Sequence, residues 1–316
     1  MKLGKAFEIL VKRILLNIGF SEVMSDGLYI FDGAPGQMIQ GLGEAHNADV
    51  LLEPPVQTPF YSKTRLLVEC KDYSRKVGLN TVRSVLGLRE DINNFEIVDL
   101  NELTARRRQN RNGVVYSFER YSYQVAIASI SGYTVPAQKF AATYRIPLLE
   151  FNRMPFWNEF CELISNRGIY QNQHRLYMNE FRDGEIETQI IDFADRVGKY
   201  MAVAITNSGQ MLFLYRTTGE RTQFSDYYSL HWNEPTQPWS LNTGEQTYIF
   251  QLPDNILKLW LDNAKNELEM KKEAINCKAS FFANMIVYFT EHSRPVIKMI
   301  SIDKYELERA RESLYV

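Results

Sequence analysis

The stretch Arg65-Leu66-Leu67-Val68-Glu69-Cys70-Lys71-Asp72-Tyr73 constrains this chain more than any other. It is a short apolar run that ends in charge, and strand-type alternation decides which of its side chains share a face. Leu66, Val68 and Cys70 point one way, towards a core, and Leu67, Glu69 and Lys71 point the other. A carboxylate and an ammonium are thereby held side by side, about 7 Å apart at roughly 3.3 Å per residue. Upstream, Ala48-Asp49-Val50-Leu51-Leu52 reads as a second short strand with an acid at its start. A carboxylate beside an apolar strand is costly unless it is paired or metal-bound. The expectation is that Asp49 and Glu69 grip a divalent cation while Lys71 serves the attacking water. A second Glu-x-Lys triplet, Glu269-Met270-Lys271, sits in a charged stretch that reads as a solvated helix, so the strand context, rather than the spacing, distinguishes the first.

The 316 residues are 45% hydrophobic and 23% charged, an ordinary globular balance with room for two domains. With a formal net charge of -2, no global basic field draws the chain to nucleic acid, and any such binding must come from local patches. Cys70, Cys161 and Cys277 lie far apart with no CxxC spacing, which argues against a disulfide framework or zinc knuckle and fits a reducing cytoplasm. The first residues interrupt their apolar run with Lys5, Glu8, Lys12 and Arg13, unlike a signal-peptide core, and no later segment approaches the ~18 uninterrupted apolar residues of a membrane span.

Leu3, Ala6, Phe7, Leu10, Val11, Ile14, Leu15 and Ile18 recur at helical spacing, with Gly19 placed to end the helix in a left-handed conformation. Glu8, at the margin of that stripe, is either a surface partner for Lys12 or a third acid leaning over the site. Residues 21–47 are rich in glycine and read as strand fragments joined by turns. His46, three residues before Asp49, could touch substrate or metal, but one histidine without partners at ligand spacing reads as a loop residue. After the central strand come Arg75 and Lys76, then a helix capped by Asn80 or Thr81 with Val82, Val85, Leu86 and Ile92 on one face. The most basic stretch follows, Arg106-Arg107-Arg108-Gln109-Asn110-Arg111; a charge run is usually a solvated face, and here it could also hold phosphates. Tyr123 to Ile130 reads as a strand, Thr134 caps a helix with Pro136 in its first turn, and Ile146-Pro147-Leu148-Leu149 reads as the next strand. Strand, helix, strand with short connections is a βαβ unit, so these strands are expected to be parallel.

This order of elements resembles the PD-(D/E)xK nuclease superfamily, and more closely its Mrr-like restriction endonuclease branch. The residues that carry the likeness are the first helix with Glu8 ending at Gly19-Phe20, then Asp49, then Glu69-Cys70-Lys71, then the strand, Gly-aromatic-Thr turn, Ala-rich helix and Ile-x-Leu strand from Val125 to Leu149. The resemblance covers roughly residues 1–151 and implies an α/β fold, a restriction-endonuclease-like mixed sheet flanked by helices. It further implies a Mg²⁺-dependent endonuclease hydrolysing DNA, with Mn²⁺ able to substitute. Asp49, Glu69 and Cys70 would be the metal-binding positions, Lys71 would attend the nucleophilic water, and Glu8 would be an accessory acid. Arg75, Lys76, Arg106, Arg107, Arg108 and Arg111 would meet the DNA backbone. A restriction or phage-defence role is the leading expectation. The alternatives are a structure-specific repair or recombination nuclease and a catalytically inactive nuclease-fold DNA-binding module. Cutting both strands would normally need two such centres, which a homodimer could supply.

Residues 152–316 change character and read as a second, α+β domain for recognition or assembly. Met201 to Thr206 and Gln210 to Arg216 flank Asn207-Ser208-Gly209, a hairpin signal. Tyr227 to Trp232, Gln246 to Leu252, Phe281 to Phe289 and Val296 to Ile302 read as further strands, and a long helix is expected after Asp254. The segment from His231 to Trp239 reads as an aromatic loop, and Asp303 with Glu306 three residues on opens a last helix.

Overall fold

A computed structural model describes residues 3–27, 29–34, 36–57, 62–94, 121–165, 179–207, 209–232, 238–252 and 264–314. The basic run 106–111, the long helix expected after Asp254 and most of the aromatic loop lie outside these residues.

The first helix, α1 (Leu3–Ile18), buries the stripe that its spacing predicts, from Ala6 and Phe7 to Ile18. It ends where Gly19 adopts φ 110°, and the Gly19 and Phe20 amides donate back to Leu16 and Leu15. A side chain at Gly19 would also collide with Pro295, whose Cβ lies 2.8 Å from the Cβ position. Next come the short strand β1 (Ser21–Glu22) and a three-stranded antiparallel sheet, β2 (Ile30–Gly33), β3 (Gly36–Gln40) and β4 (Ala45–Asn47).

The main sheet has the order β1-β5-β6-β7-β8, with β5 (Val50–Glu53), β6 (Lys63–Lys71), β7 (Tyr121–Ser129) and β8 (Leu148–Glu150). β5 pairs antiparallel with β1 and β6, while β6, β7 and β8 run parallel. Helix α2 (Leu79–Asn94) follows β6, and α3 (Val135–Thr143) makes the β7–β8 crossover. The expected βαβ unit and mixed sheet are therefore present. Thr134 stands at the α3 N-cap without a side-chain capping bond, and Asn80 and Thr81 lie inside the first turn of α2 rather than capping it. The turn before α3 is pinned by Tyr133, whose buried hydroxyl donates to the Ile127 and Leu149 carbonyls at 2.6 and 3.0 Å.

Both faces of this sheet are covered. Leu66 and Val68 pack with α1, as the alternation predicts, but Leu67, expected on the outer face, is fully buried with Val82, Val85 and Ala137 under α2 and α3. With α1 on one face and both crossover helices on the other, the strands are apolar on both sides.

Beyond a single 3₁₀ turn at Phe151–Arg153 come α4 (Trp157–Ser165) and α5 (Asn179–Gly198). Among the described residues, seven strands then close into a barrel: β9 (Met201–Thr206), β10 (Met211–Arg216), β11 (Tyr227–His231), β12 (Trp239–Thr243), β13 (Gln246–Phe250), β14 (Asn284–Glu291) and β15 (Arg294–Ile302). Only the β11–β15 pairing is parallel among these. Helix α6 (Glu267–Phe281) and the terminal α7 (Lys304–Glu312) complete the described chain. Asp303 caps α7, its carboxylate accepting from the Tyr305 and Glu306 amides. Trp239, expected in a loop, begins β12 with its side chain fully buried against Phe250 and Phe282.

Alternation along β9 and β10 divides the barrel wall. Ala202, Ala204, Leu212 and Leu214 face the barrel interior, while Met201, Val203, Met211 and Phe213 join the core of α1 and α5. Phe213 meets Phe151 edge to face at 5.2 Å, and Phe151 meets Phe7 of α1 in the same way at 5.2 Å. One apolar core therefore runs from the main sheet to the barrel's outer wall. Arg13 adds a clasp between α1 and α5, donating from two guanidinium nitrogens to Asp195.

Candidate active site

The β5–β6 register pairs Val50 with Val68 and Leu51 with Leu67, so one step further Asp49 stands opposite Glu69 at the carboxyl end of β6. Directly opposed residues of an antiparallel pair share a face. Lys71, two residues beyond Glu69, shares it too, and its ammonium lies 2.7 Å from Glu69 Oε2 and 3.9 Å from Asp49 Oδ2. Asp49 is held by the chain itself: the Cys70 main-chain N–H donates to its Oδ2 at 2.9 Å, and the Asn47 amide donates to its Oδ1 at 3.2 Å. Both carboxylates are only 13% exposed.

Electrostatics follow from that burial. Removal from water pushes the Glu69 carboxyl up, with Asp49 adding to the rise and Lys71 opposing it. Burial alone would lower the Lys71 ammonium, but Glu69, by charge and hydrogen bond, and Asp49 outweigh it and leave Lys71 raised. Two acids thus share one ammonium.

The other predicted residues sit around this group. Cys70 contributes its main chain, because its side chain packs with the α1 core and burial drives the thiol well up. Glu8 bonds Lys5 at 3.0 Å, three residues away rather than the expected Lys12, and its charge reaches Cys70 from the α1 side of the sheet. Lys12 pairs instead with Glu22 at 2.8 Å. Arg75 and Lys76 are exposed just past the end of β6, beside Tyr73, which is 46% exposed.

His46, expected in a loop, is on β4, 2.6 Å from Asp91 of α2, close enough for its charge to be felt at Glu69. Asp91 also accepts from the Gly43 amide at 2.8 Å and is held below the usual carboxylate range, first by His46 and then by that amide. The partner acid forty-five residues away leaves no local pattern, so the pair was not legible in the sequence. Arg65, by contrast, is an architectural cation: it is 6% exposed, bonds Glu53 and the Tyr123 hydroxyl, and lies over the Tyr121 ring at 3.5 Å.

A divalent cation is testable against these donors. Among the described residues no group of three or more His, Cys, Asp and Glu side chains is arranged to hold a metal ion. Mg²⁺ asks for less, since one or two carboxylates with waters and a substrate phosphate suffice. Asp49 and Glu69 on one face fit that smaller demand, and a transition-metal set is not what these residues offer.

No protein-family model matches the chain, and no curated protein matches it. A solved structure entitled a protein of unknown function, AF1548, is similar over 61% of this chain and 97% of its own at 16% identity, with a TM-score of 0.32, a likeness too slight to carry an argument. Among the described residues no helix is long and apolar enough to cross a membrane.

Proposed function

We propose that this protein is a Mg²⁺-dependent DNA endonuclease, of the restriction or phage-defence type, with Asp49, Glu69 and Lys71 as its working residues. The observation that supports the reading is that a single ammonium, Lys71, lies within ion-pair reach of both acids at the carboxyl end of β6. Sheets of this kind hold ligands beyond the carboxyl ends of their parallel strands.

Asp49 and Glu69 would hold the ion, which supplies charge neutralisation at a scissile phosphate and a water more easily deprotonated than bulk water. The chain's own contribution is positional. The Cys70 amide and Asn47 fix Asp49, so that its carboxylate is oriented before any ligand arrives. Lys71, kept protonated by its two neighbours, offers donors to a phosphate oxygen or to the attacking water. Exposed Arg75 and Lys76 supply charge for the DNA backbone beside the site.

Incubation of the full chain with supercoiled plasmid in Mg²⁺ or in EDTA tests the reading. The expected result is nicking that requires the metal and is lost in Asp49→Asn, a variant that keeps the side-chain volume. Plasmid binding without cleavage in Mg²⁺ and in Mn²⁺ would replace the enzyme with a nuclease-fold binding module.

A further inference from the structure

A second site lies at the other end of α1, at the mouth of the barrel. There β10 continues its interior-facing row one step past the apolar residues, Arg216 following Leu212 and Leu214, and Tyr200, in the turn before β9, lies beside Tyr215 at 6.0 Å. The Arg216 guanidinium stands over the Tyr200 ring at 5.1 Å. Arg216 is 7% exposed, and its Nε and Nη1 are buried with no hydrogen-bond partner among the described residues. A buried charge with unmet donors is among the more costly features a fold can carry, and a structural arginine would have its fork filled.

Arg216 is among the residues that line a cleft of about 870 Å³ bounded by the ends of α1 and α5 and by the β14–β15 hairpin. The volume is that of a nucleotide-sized pocket, and barrel mouths are recurrent places for one. Lys199 and Arg221 line the same cleft, against Glu220 and Glu291, so the basic side chains are in excess. Tyr200 is 41% exposed, leaving part of its ring open to the cleft.

We propose that this cleft binds a phosphate-bearing ligand of nucleotide size, with Arg216 as the phosphate anchor, Arg221 and Lys199 as supporting charges, and Tyr200 against the ligand's ring. A planar fork of donors matches phosphate in two-point contact, which neither a surface lysine nor a lone hydroxyl can do. The site is separate from the acid pair: from Glu8, whose charge reaches Cys70, to Asn17, in the cleft, is roughly 14 Å along the helix axis. It therefore stands whether or not the protein cuts DNA.

Calorimetric titration of the full chain in EDTA, where no metal-dependent cleavage can intervene, tests it with AMP, ATP and a single-stranded oligonucleotide carrying either a 5′-phosphate or a 5′-hydroxyl. Saturable binding of at least one phosphate-bearing probe is expected, weakened tenfold or more by Arg216→Met and severalfold by Arg221→Ala. Tighter binding of the 5′-phosphorylated strand than of AMP identifies a chain end as the source of the phosphate, and the reverse identifies a free nucleotide. Removing an unpartnered buried charge should also leave the ligand-free Arg216→Met melting temperature unchanged or higher. Absence of binding by every probe overturns the proposal, as does binding indifferent to both substitutions. A large fall in the melting temperature of Arg216→Met, with binding intact in Arg221→Ala, would make Arg216 a structural residue instead.

Discussion

At the scale of the residue, Lys71 decides how the acid pair behaves. Its ammonium offsets the Glu69 carboxylate, which burial has made reluctant to ionise, and its 2.7 Å bond to Glu69 competes with any cation for the same oxygen. Lys71→Ala is expected to lower the plasmid nicking rate by about 10²–10³, the usual cost of removing one preorganised donor. The same variant should gain more thermal stability from added Mg²⁺ than the parent does, because the ion meets two carboxylates with no ammonium between them. Undiminished nicking would reduce Lys71 to a structural counter-ion. An equal metal-induced shift in the two proteins would remove Asp49 and Glu69 as its ligands. These residues were legible beforehand because an alternation of period two is short and local: Leu66 to Lys71 declares its faces in six positions. Leu67 points away from Leu66 and Val68 as expected, but its burial was not legible because nothing within the strand states that a helix covers its second face.

At the scale of the element, α1 is held to α5 by the Arg13 fork on Asp195. That bond, ahead of the opposing effect of burial, keeps the Asp195 carboxyl below its ordinary range. A depressed carboxylate stabilises the fold at any pH above its unfolded value, about 3.9, and loses that contribution as the pH falls through the lower folded value. Asp195→Asn is therefore expected to cost up to about 1 kcal/mol at pH 7, discounted because both side chains are about a third or more exposed. Urea titrations of the two proteins should converge as the pH falls through the folded Asp195 value, and a difference that persists once the carboxyl is protonated would assign the loss to packing rather than charge. Helix α5 itself was readable and was missed: Ile186, Ile190, Phe193, Ala194 and Val197 recur at helical spacing and all face the core. The barrel was not readable in the same sense. Its strands are five to nine residues long, and the pairing of Tyr227 with Ser301 bridges seventy-four positions, a closure that no local pattern announces.

At the scale of the whole molecule, the sheet and the barrel share an interior. Phe213, 3% exposed, reaches from the barrel wall to Phe151, and Phe151 reaches on to α1. Phe213→Ala is expected to cost about 3–5 kcal/mol, the range for emptying a large buried aromatic site. Hydrogen exchange should then show protection falling in the β6–β7 strands and in β9–β10 together. Two separate calorimetric transitions, with β6 and β7 unaffected, would show the two parts to be independent.

The first helix gives this shared interior a mechanical meaning. It is a rod of sixteen residues, about 24 Å long, whose second turn brings the Glu8 charge to Cys70 and whose final turn forms one lip of the barrel-mouth cleft. A stiff rod seated at both ends does not bend to suit one of them. A break at its middle would therefore unseat both ends at once, the packing beneath β6 and the lip of the cleft.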